Sequence, residues 1–210
     1  MWMEELSSGP RACLYHNFLS KKECGHLIAL AKPHMTRSRV VDVNAVGGKE
    51  SSSRTSTGMF LRRGYDKVIG DIEKRIADCT SIPVEHGECL QVLHYDVGQK
   101  FDSHFDYTDN TQTTENGGPR QATFLMYLSD VKEGGETVFP LAKAIKSSSS
   151  NGGAKNGISV KPKMGDALLF WSMKPDGSRD PKSQHGANPV VKGSKWSATK
   201  WLHVREYKTY

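Results

Sequence analysis

The sequence predicts a mainly β protein with flanking α-helices. Two patterns and a size carry that expectation. From residue 88 onward, short apolar stretches alternate with Gly, Pro and Asp turn residues, the mark of a sandwich or barrel of strands. Ahead of them lie two segments with helical apolar spacing. At 210 residues, with 36% hydrophobic and 25% charged residues, the chain suits one soluble domain with a real core. Two helices covering one sheet of a double-stranded β-helix, or jelly roll, fit this layout. The expected division is helical support over about residues 20–80 and a β core over about 88–207, in a single domain spanning 1–210.

The first helix has a defined start. Ser20-Lys21-Lys22-Glu23 is a capping box, and Cys24, Leu27, Ile28, Leu30 and Ala31 follow it. Pro33 should end the helix. Residues 38–58 are rich in Gly, Ser, Arg and Lys and show no sustained apolar period. They read either as a solvated loop or loose hairpin, or as a lid over a site. Residues 66–79 predict a second helix, with Val68, Ile69, Ile72, Ile76 and Ala77 on one face. The candidate strands are 89–95, 100–104, 122–128, 136–138, 158–160, 167–171 and 197–205. Residues 145–156, with four consecutive serines and Gly152-Gly153, read as a flexible insertion.

Composition narrows the function. The net charge is +6 and the pI near 9.1, yet Lys and Arg are dispersed with no run of five. This predicts a mildly positive surface and no nucleic-acid partner. No stretch approaches the roughly 18 apolar residues of a membrane span. Met1-Trp2-Met3-Glu4-Glu5 has neither a basic start nor an apolar run, so it does not read as a leader. The four cysteines, Cys13, Cys24, Cys79 and Cys89, form no C-x-x-C pair, which disfavours a zinc site. They permit two disulfides or four thiols.

The chemistry is carried by His104, Asp106 and His185. Residues two apart on a strand share a face, so His104 and Asp106 can aim at one ion. A distant His185 completes a 2-His-1-carboxylate set that leaves coordination positions open, the arrangement of non-haem Fe(II) oxygenases. Zinc suits that open face less well. Lys195 follows ten residues later in Gly193-Ser194-Lys195-Trp196-Ser197. Oxygen activation at iron needs two electrons, which 2-oxoglutarate supplies. Its far carboxylate calls for a buried cation, and Lys195 sits in an apolar setting where an unpaired ammonium is costly. His16, His26, His34 and His86 are read as structural or exposed.

This combination resembles the 2-oxoglutarate-dependent prolyl 4-hydroxylases, most closely their plant and green-algal members. The resemblance runs from about Arg11 to Tyr207. It rests on the triad and Lys195, on Leu90-Gln91-Val92-Leu93-His94-Tyr95, on Gly134-Gly135-Glu136-Thr137-Val138-Phe139-Pro140 and on Lys195-Trp196-Ser197-Ala198-Thr199-Lys200-Trp201-Leu202-His203. Tyr15-His16-Asn17-Phe18-Leu19-Ser20 and Lys161-Pro162-Lys163-Met164-Gly165-Asp166-Ala167-Leu168-Leu169-Phe170 add to it.

The resemblance implies hydroxylation of peptidyl proline at carbon 4, with Fe(II) on His104, Asp106 and His185. It implies 2-oxoglutarate and O2 as co-substrates and ascorbate as the reductant that rescues oxidised iron. Tyr95 and Thr137 would offer hydroxyls to the 2-oxoglutarate carboxylate beside Lys195; otherwise they are ordinary core residues. Arg120, Trp201 and His203 would line a groove for a proline-rich peptide in polyproline II form. A monomer in the lumen of the endoplasmic reticulum or secretory pathway is implied, with the cytoplasm as the alternative. Relatives often carry a His-Gly-Gly-Cys-Pro run; here the stretch is His185-Gly186-Ala187-Asn188-Pro189, so that disulfide is expected to be absent. The rival functions are an oxygenase acting on lysyl residues or alkylated nucleic acid, and a non-catalytic jelly-roll binding module.

Overall fold

The computed structural model describes residues 1–40, 48–107, 115–145 and 157–209. In chain order the elements begin with β1 (Trp2–Gly9), β2 (Arg11–His16), α1 (Lys21–Ala31), β3 (Thr36–Arg37), β4 (Thr57–Leu61) and α2 (Lys67–Thr80). They continue with β5 (Leu90–Tyr95), β6 (Phe101–His104), β7 (Arg120–Tyr127), β8 (Glu133–Gly134), β9 (Thr137–Phe139) and β10 (Lys143–Ala144). The last are β11 (Ile158–Val160), β12 (Ala167–Trp171), β13 (His185–Ala187), β14 (Val190–Lys192) and β15 (Lys195–His203).

Both helices start where their caps dictate. Ser20 Oγ accepts from the Glu23 amide while Glu23 Oε2 accepts from the Ser20 amide, closing the capping box. Asp66 caps α2 by accepting from the Ile69 amide at 2.8 Å. Ser81, at φ 57°, ends α2 in the left-handed region. Pro33 does not stop the chain at once; it sits in a single 3₁₀ turn, Lys32–His34, that prolongs α1.

The strands form a nine-stranded sheet in the order β10-β1-β2-β12-β7-β15-β5-β4-β3 and a four-stranded sheet in the order β11-β9-β13-β6. A β14–β8 pair lies beside them. The ladders within these sheets are antiparallel. The large sheet is covered on both faces. On one side Leu90, Val92, Phe124, Met126, Leu169 and Ala198 pack with Leu27 of α1 and Ile69, Ile72 and Ile76 of α2. On the other, Ala12, Tyr127, Leu168 and Phe170 meet Phe139 and Val160 of the small sheet. Double coverage explains the nearly unbroken apolar runs of these strands, which show little alternation. The result is the jelly-roll layout expected from the strand pattern.

Strands β1 to β4, β8, β10, β13 and β14 were not among the expected ones. The β1–β2 hairpin was not legible in the sequence. β1 has one fully buried residue, Ser7, so it shows no apolar periodicity. Residues 57 and 58, expected in a loop or loose hairpin, open β4, which pairs with β5 near the edge of the large sheet. The legs of the 38–58 segment are fixed: the Ser38 amide donates to Ser56 O, the Ser56 and Ser38 hydroxyls are bonded at 2.9 Å, and Val40 bridges Lys49. Residues 41–47 of this segment lie outside the described residues, as do 146–156 of the serine-rich insertion. All four cysteines are free thiols. No helix among the described residues is long and apolar enough to cross a membrane.

Candidate active site

β6 ends at His104, and β13 begins at His185 directly opposite it in the antiparallel register. This pairing places the two imidazoles 4.4 Å apart, centroid to centroid. Asp106 lies just past the end of β6 and turns its carboxylate back between them. Its Oδ1 is 3.5 Å from His104 Nε2, and its Oδ2 is 3.6 Å from His185 Nε2. One ligand atom from each residue fits within 4.8 Å of the others, the one such His/Cys/Asp/Glu cluster among the described residues.

Backbone carbonyls set both imidazole tautomers. His104 Nδ1 donates to Asp102 O at 2.8 Å and His185 Nδ1 donates to Ser183 O at 2.9 Å. The Nε2 lone pairs therefore face the carboxylate, as metal-ligating histidines require. Ser183 is itself held in a 3₁₀ turn by its hydroxyl bond to Asp180 O. Burial drives His185 down to about 4, against the pull of Asp106, so the ring is neutral at physiological pH. Burial alone would raise the Asp106 carboxyl. The neighbouring His185 and His104 rings, with Arg120, outweigh it and hold the group far below the usual carboxylate range. Thr123 Oγ1 also donates to Asp106 Oδ2 at 2.6 Å.

The cavity before this cluster runs between the two sheets. Its lining includes Arg54, Tyr95, Thr137, Lys195, Thr199 and Trp201. Alternation along β15 sends Lys195, Ser197, Thr199 and Trp201 into it, while Ala198 and Leu202 join the helix-side core. Lys195 opens β15 opposite Tyr95 and is 2% exposed. Its Nζ donates to Gly135 O at 2.8 Å and lies 5.3 Å from the Tyr95 ring centre and 5.8 Å from that of Tyr127. Burial lowers Lys195 to about 8, although Glu136 pulls the other way. No carboxylate among the described residues forms an ion pair with it. Thr137 Oγ1 accepts from the Tyr127 hydroxyl at 2.8 Å, leaving its own proton to give to the cavity.

The expected groove residues are brought together, but around a partner absent from the sequence reading. Arg120 donates through Nε and a terminal nitrogen to Glu88 Oε1 and Oε2, at 2.5 and 3.1 Å. His203 Nε2 meets Glu88 Oε1 at 2.8 Å, and its Nδ1 meets Gly118 O. The Arg120 guanidinium lies 4.0 Å over the Trp201 ring, a cation–π contact. Trp201 Nε1 is buried without a hydrogen-bond partner. Of the three, Trp201 lines the cavity directly; Arg120 and His203 form the wall behind it. Trp196, on the opposite face, packs at a tilt against His94, with ring centres 4.4 Å apart.

Sequence reasoning missed Glu88, Arg54, Thr123 and Tyr127. Glu88 and Thr123 carried a faint signal as polar residues bordering or interrupting buried strands. Arg54 sat in a segment without periodicity. The structure pins it between Gln91 and Arg39 O and stacks it 4.6 Å over Phe101, whose ring in turn stacks on His104. A larger cavity, about 540 Å³, lies elsewhere beside Leu6, Leu14, His16 and Lys163. It holds none of the triad donors and no unpartnered buried polar group.

The sequence model of the 2OG-Fe(II) oxygenase superfamily matches residues 90–203, which include every residue lining this cavity except Arg54. The chain belongs to that superfamily. Among curated relatives of this oxygenase, probable prolyl 4-hydroxylase 3 of Arabidopsis thaliana is 61% identical over 99% of this chain and 74% of its own length. Prolyl 4-hydroxylase 5 of the same plant is 58% identical over 99% and 73%. Among solved structures, the 2OG complex of the viral collagen prolyl hydroxylase vCPH from Paramecium Bursaria Chlorella virus-1 superposes with a TM-score of 0.68 at 27% identity. It covers 91% of this chain and 94% of that one.

The residues of this oxygenase fit the group its family implies. Two imidazoles and one carboxylate converge with open space before them, a donor set for Fe(II). A buried ammonium without a carboxylate partner faces the same space, suited to an anionic co-substrate.

Proposed function

We propose that the protein hydroxylates peptidyl proline at carbon 4 in proline-rich, cell-wall type chains. The observation that carries the reading is the pairing of one triad and one unpaired buried lysine in a single cavity. His104, Asp106 and His185 hold Fe(II) through Nε2, a carboxylate oxygen and Nε2. Lys195 receives the far carboxylate of 2-oxoglutarate, with the Thr137 and Tyr95 hydroxyls beside it. Bound there, iron with 2-oxoglutarate and O2 supplies the oxidising power, releasing succinate and carbon dioxide as one oxygen atom goes to proline. The chain's own residues position the reactants and keep water from the buried end of the cavity.

Plant prolyl 4-hydroxylases at 58–61% identity support proline as the target. Trp201, with its unpartnered Nε1, and Arg120 and His203 behind it offer a ring surface and donors to a peptide. A polyproline II chain suits such a wall, being extended already and free of internal hydrogen bonds. In this reading ascorbate restores oxidised iron. The oxygenase domain spans 1–210, acts as a monomer, and works in the endoplasmic reticulum or secretory lumen.

The test is mass spectrometry of peptides incubated with Fe(II), 2-oxoglutarate and O2. Ser-Pro repeats and poly-proline should gain oxygen faster than Pro-Pro-Gly repeats. A preference for Pro-Pro-Gly overturns the cell-wall assignment. Oxygen gain on lysyl peptides or methylated DNA alone overturns proline as the target, and absence of succinate release with every substrate points to a binding module.

A further inference from the structure

Asp106 differs from the two histidines in how it is held. His104 and His185 belong to paired strands, whereas Asp106 lies beyond the end of β6 in no ladder. Its carboxylate is free to rotate unless a side chain stops it. His104 and His185 approach it at 3.5 and 3.6 Å, and Thr123 holds it with a much shorter bond. Thr123 sits in β7 between Phe170 of β12 and Trp201 of β15, in the sheet facing the triad, and is 2% exposed. Its hydroxyl crosses the cavity to Oδ2 at 2.6 Å, a short bond typical of a charged acceptor.

The choice of oxygen has a consequence for coordination. Oδ2 is engaged by the hydroxyl, while Oδ1 is left on the His104 side. A carboxylate that used both oxygens would, with two imidazoles, fill four of six octahedral positions. The chelating end of 2-oxoglutarate would then leave none for O2. A carboxylate limited to one oxygen leaves three. We propose that Thr123 is a positioning residue that fixes the Asp106 carboxylate plane and restricts it to one-oxygen ligation. The proposal rests on the iron reading above and concerns how the site stays open.

Metal binding tests it without turnover. Metal-free wild type, Thr123→Val, Thr123→Cys and Thr123→Ser are titrated with Mn(II), and the Co(II) forms are followed by visible absorption as 2-oxoglutarate is added. Val is close to Thr in shape and lacks the donor; Cys donates weakly; Ser restores the hydroxyl. Val and Cys should weaken Mn(II) binding on the order of 10- to 100-fold and alter the Co(II) spectrum, while Ser stays near wild type. Thermal melting of the metal-free variants reports the fold, and the Cys variant stands in if the Val variant does not fold. Wild-type affinity and spectrum in the Val or Cys variant overturn the proposal, as does a Ser variant as impaired as Val. Failure of the wild type itself to bind Mn(II) or Co(II) overturns the metal reading instead.

Discussion

Replacing Lys195 with Met should separate stability from cofactor use. The ammonium is buried and its pKa falls from 10.5 to about 8, so keeping it charged costs roughly 3 kcal/mol at neutral pH. The unfolded chain, with the ordinary lysine pKa, binds more protons than the folded one between about pH 8 and 10.5. Stability therefore carries the full cost below pH 8, rises with pH through that window, and is free of it above. Met removes the charge but strands the carbonyl of Gly135, at about 1–3 kcal/mol. The variant should thus melt at or somewhat above the wild-type temperature at pH 7. Its affinity for 2-oxoglutarate should fall by about 3–5 kcal/mol, roughly two to four orders of magnitude, because a buried carboxylate loses its partner. Calorimetric titration of the Mn(II)-loaded protein reads this directly. In wild type, 2-oxoglutarate affinity should decline as pH rises past about 8, and in the variant it should be flat. A Lys195→Met protein that binds 2-oxoglutarate within threefold of wild type would refute the assignment. Lys195→Arg should also bind poorly, since a planar fork does not fit a site shaped for a compact ammonium.

Ala at His104, Asp106 or His185 should abolish succinate release while circular dichroism stays close to wild type; an H185A enzyme retaining most of its activity would break the triad. Glu88→Gln should loosen both Arg120 and His203 and raise the KM for peptide with little change in the KM for 2-oxoglutarate; equal effects on both would place Glu88 elsewhere in the chemistry. Lys200→Met should destabilise the protein by about 3–5 kcal/mol in urea unfolding, because it strands the buried Glu73 carboxylate that joins α2 to β15. Adding Glu73→Leu should recover much of that loss, and no recovery would mean the cost lies in packing and not in the charge.

The sequence by itself determined the elements whose signals are local. The capping box at Ser20 and the apolar stripe of residues 66–79 depend on near neighbours in the chain, and both helices formed as read. Strands β5, β6, β7, β9, β11, β12 and β15 were legible as short runs bounded by turn residues, whereas β2, β4 and β13 were not. His104 and Asp106 were legible as one unit because a spacing of two is a strand face. His185 and Lys195 joined them through chemistry and resemblance, since a site of this kind needs a third ligand and a cation.

Tertiary structure alone decided what depends on distant partners. β1 has almost no buried face, so only its pairing with β2 and β10 makes it a strand. The segment carrying Arg54 has no period; it is shaped by hydrogen bonds to β6 and to Ser38, which aim the arginine into the cavity. Arg120 and His203 were expected to line one groove, but not to turn on Glu88, which is 32 residues from the first and 115 from the second. Thr123 gave no sign of reaching Asp106, because a hydroxyl's partner across two sheets is set by how the sheets face each other. Periodicity reports which way a side chain points; it holds no information about what waits on the other side.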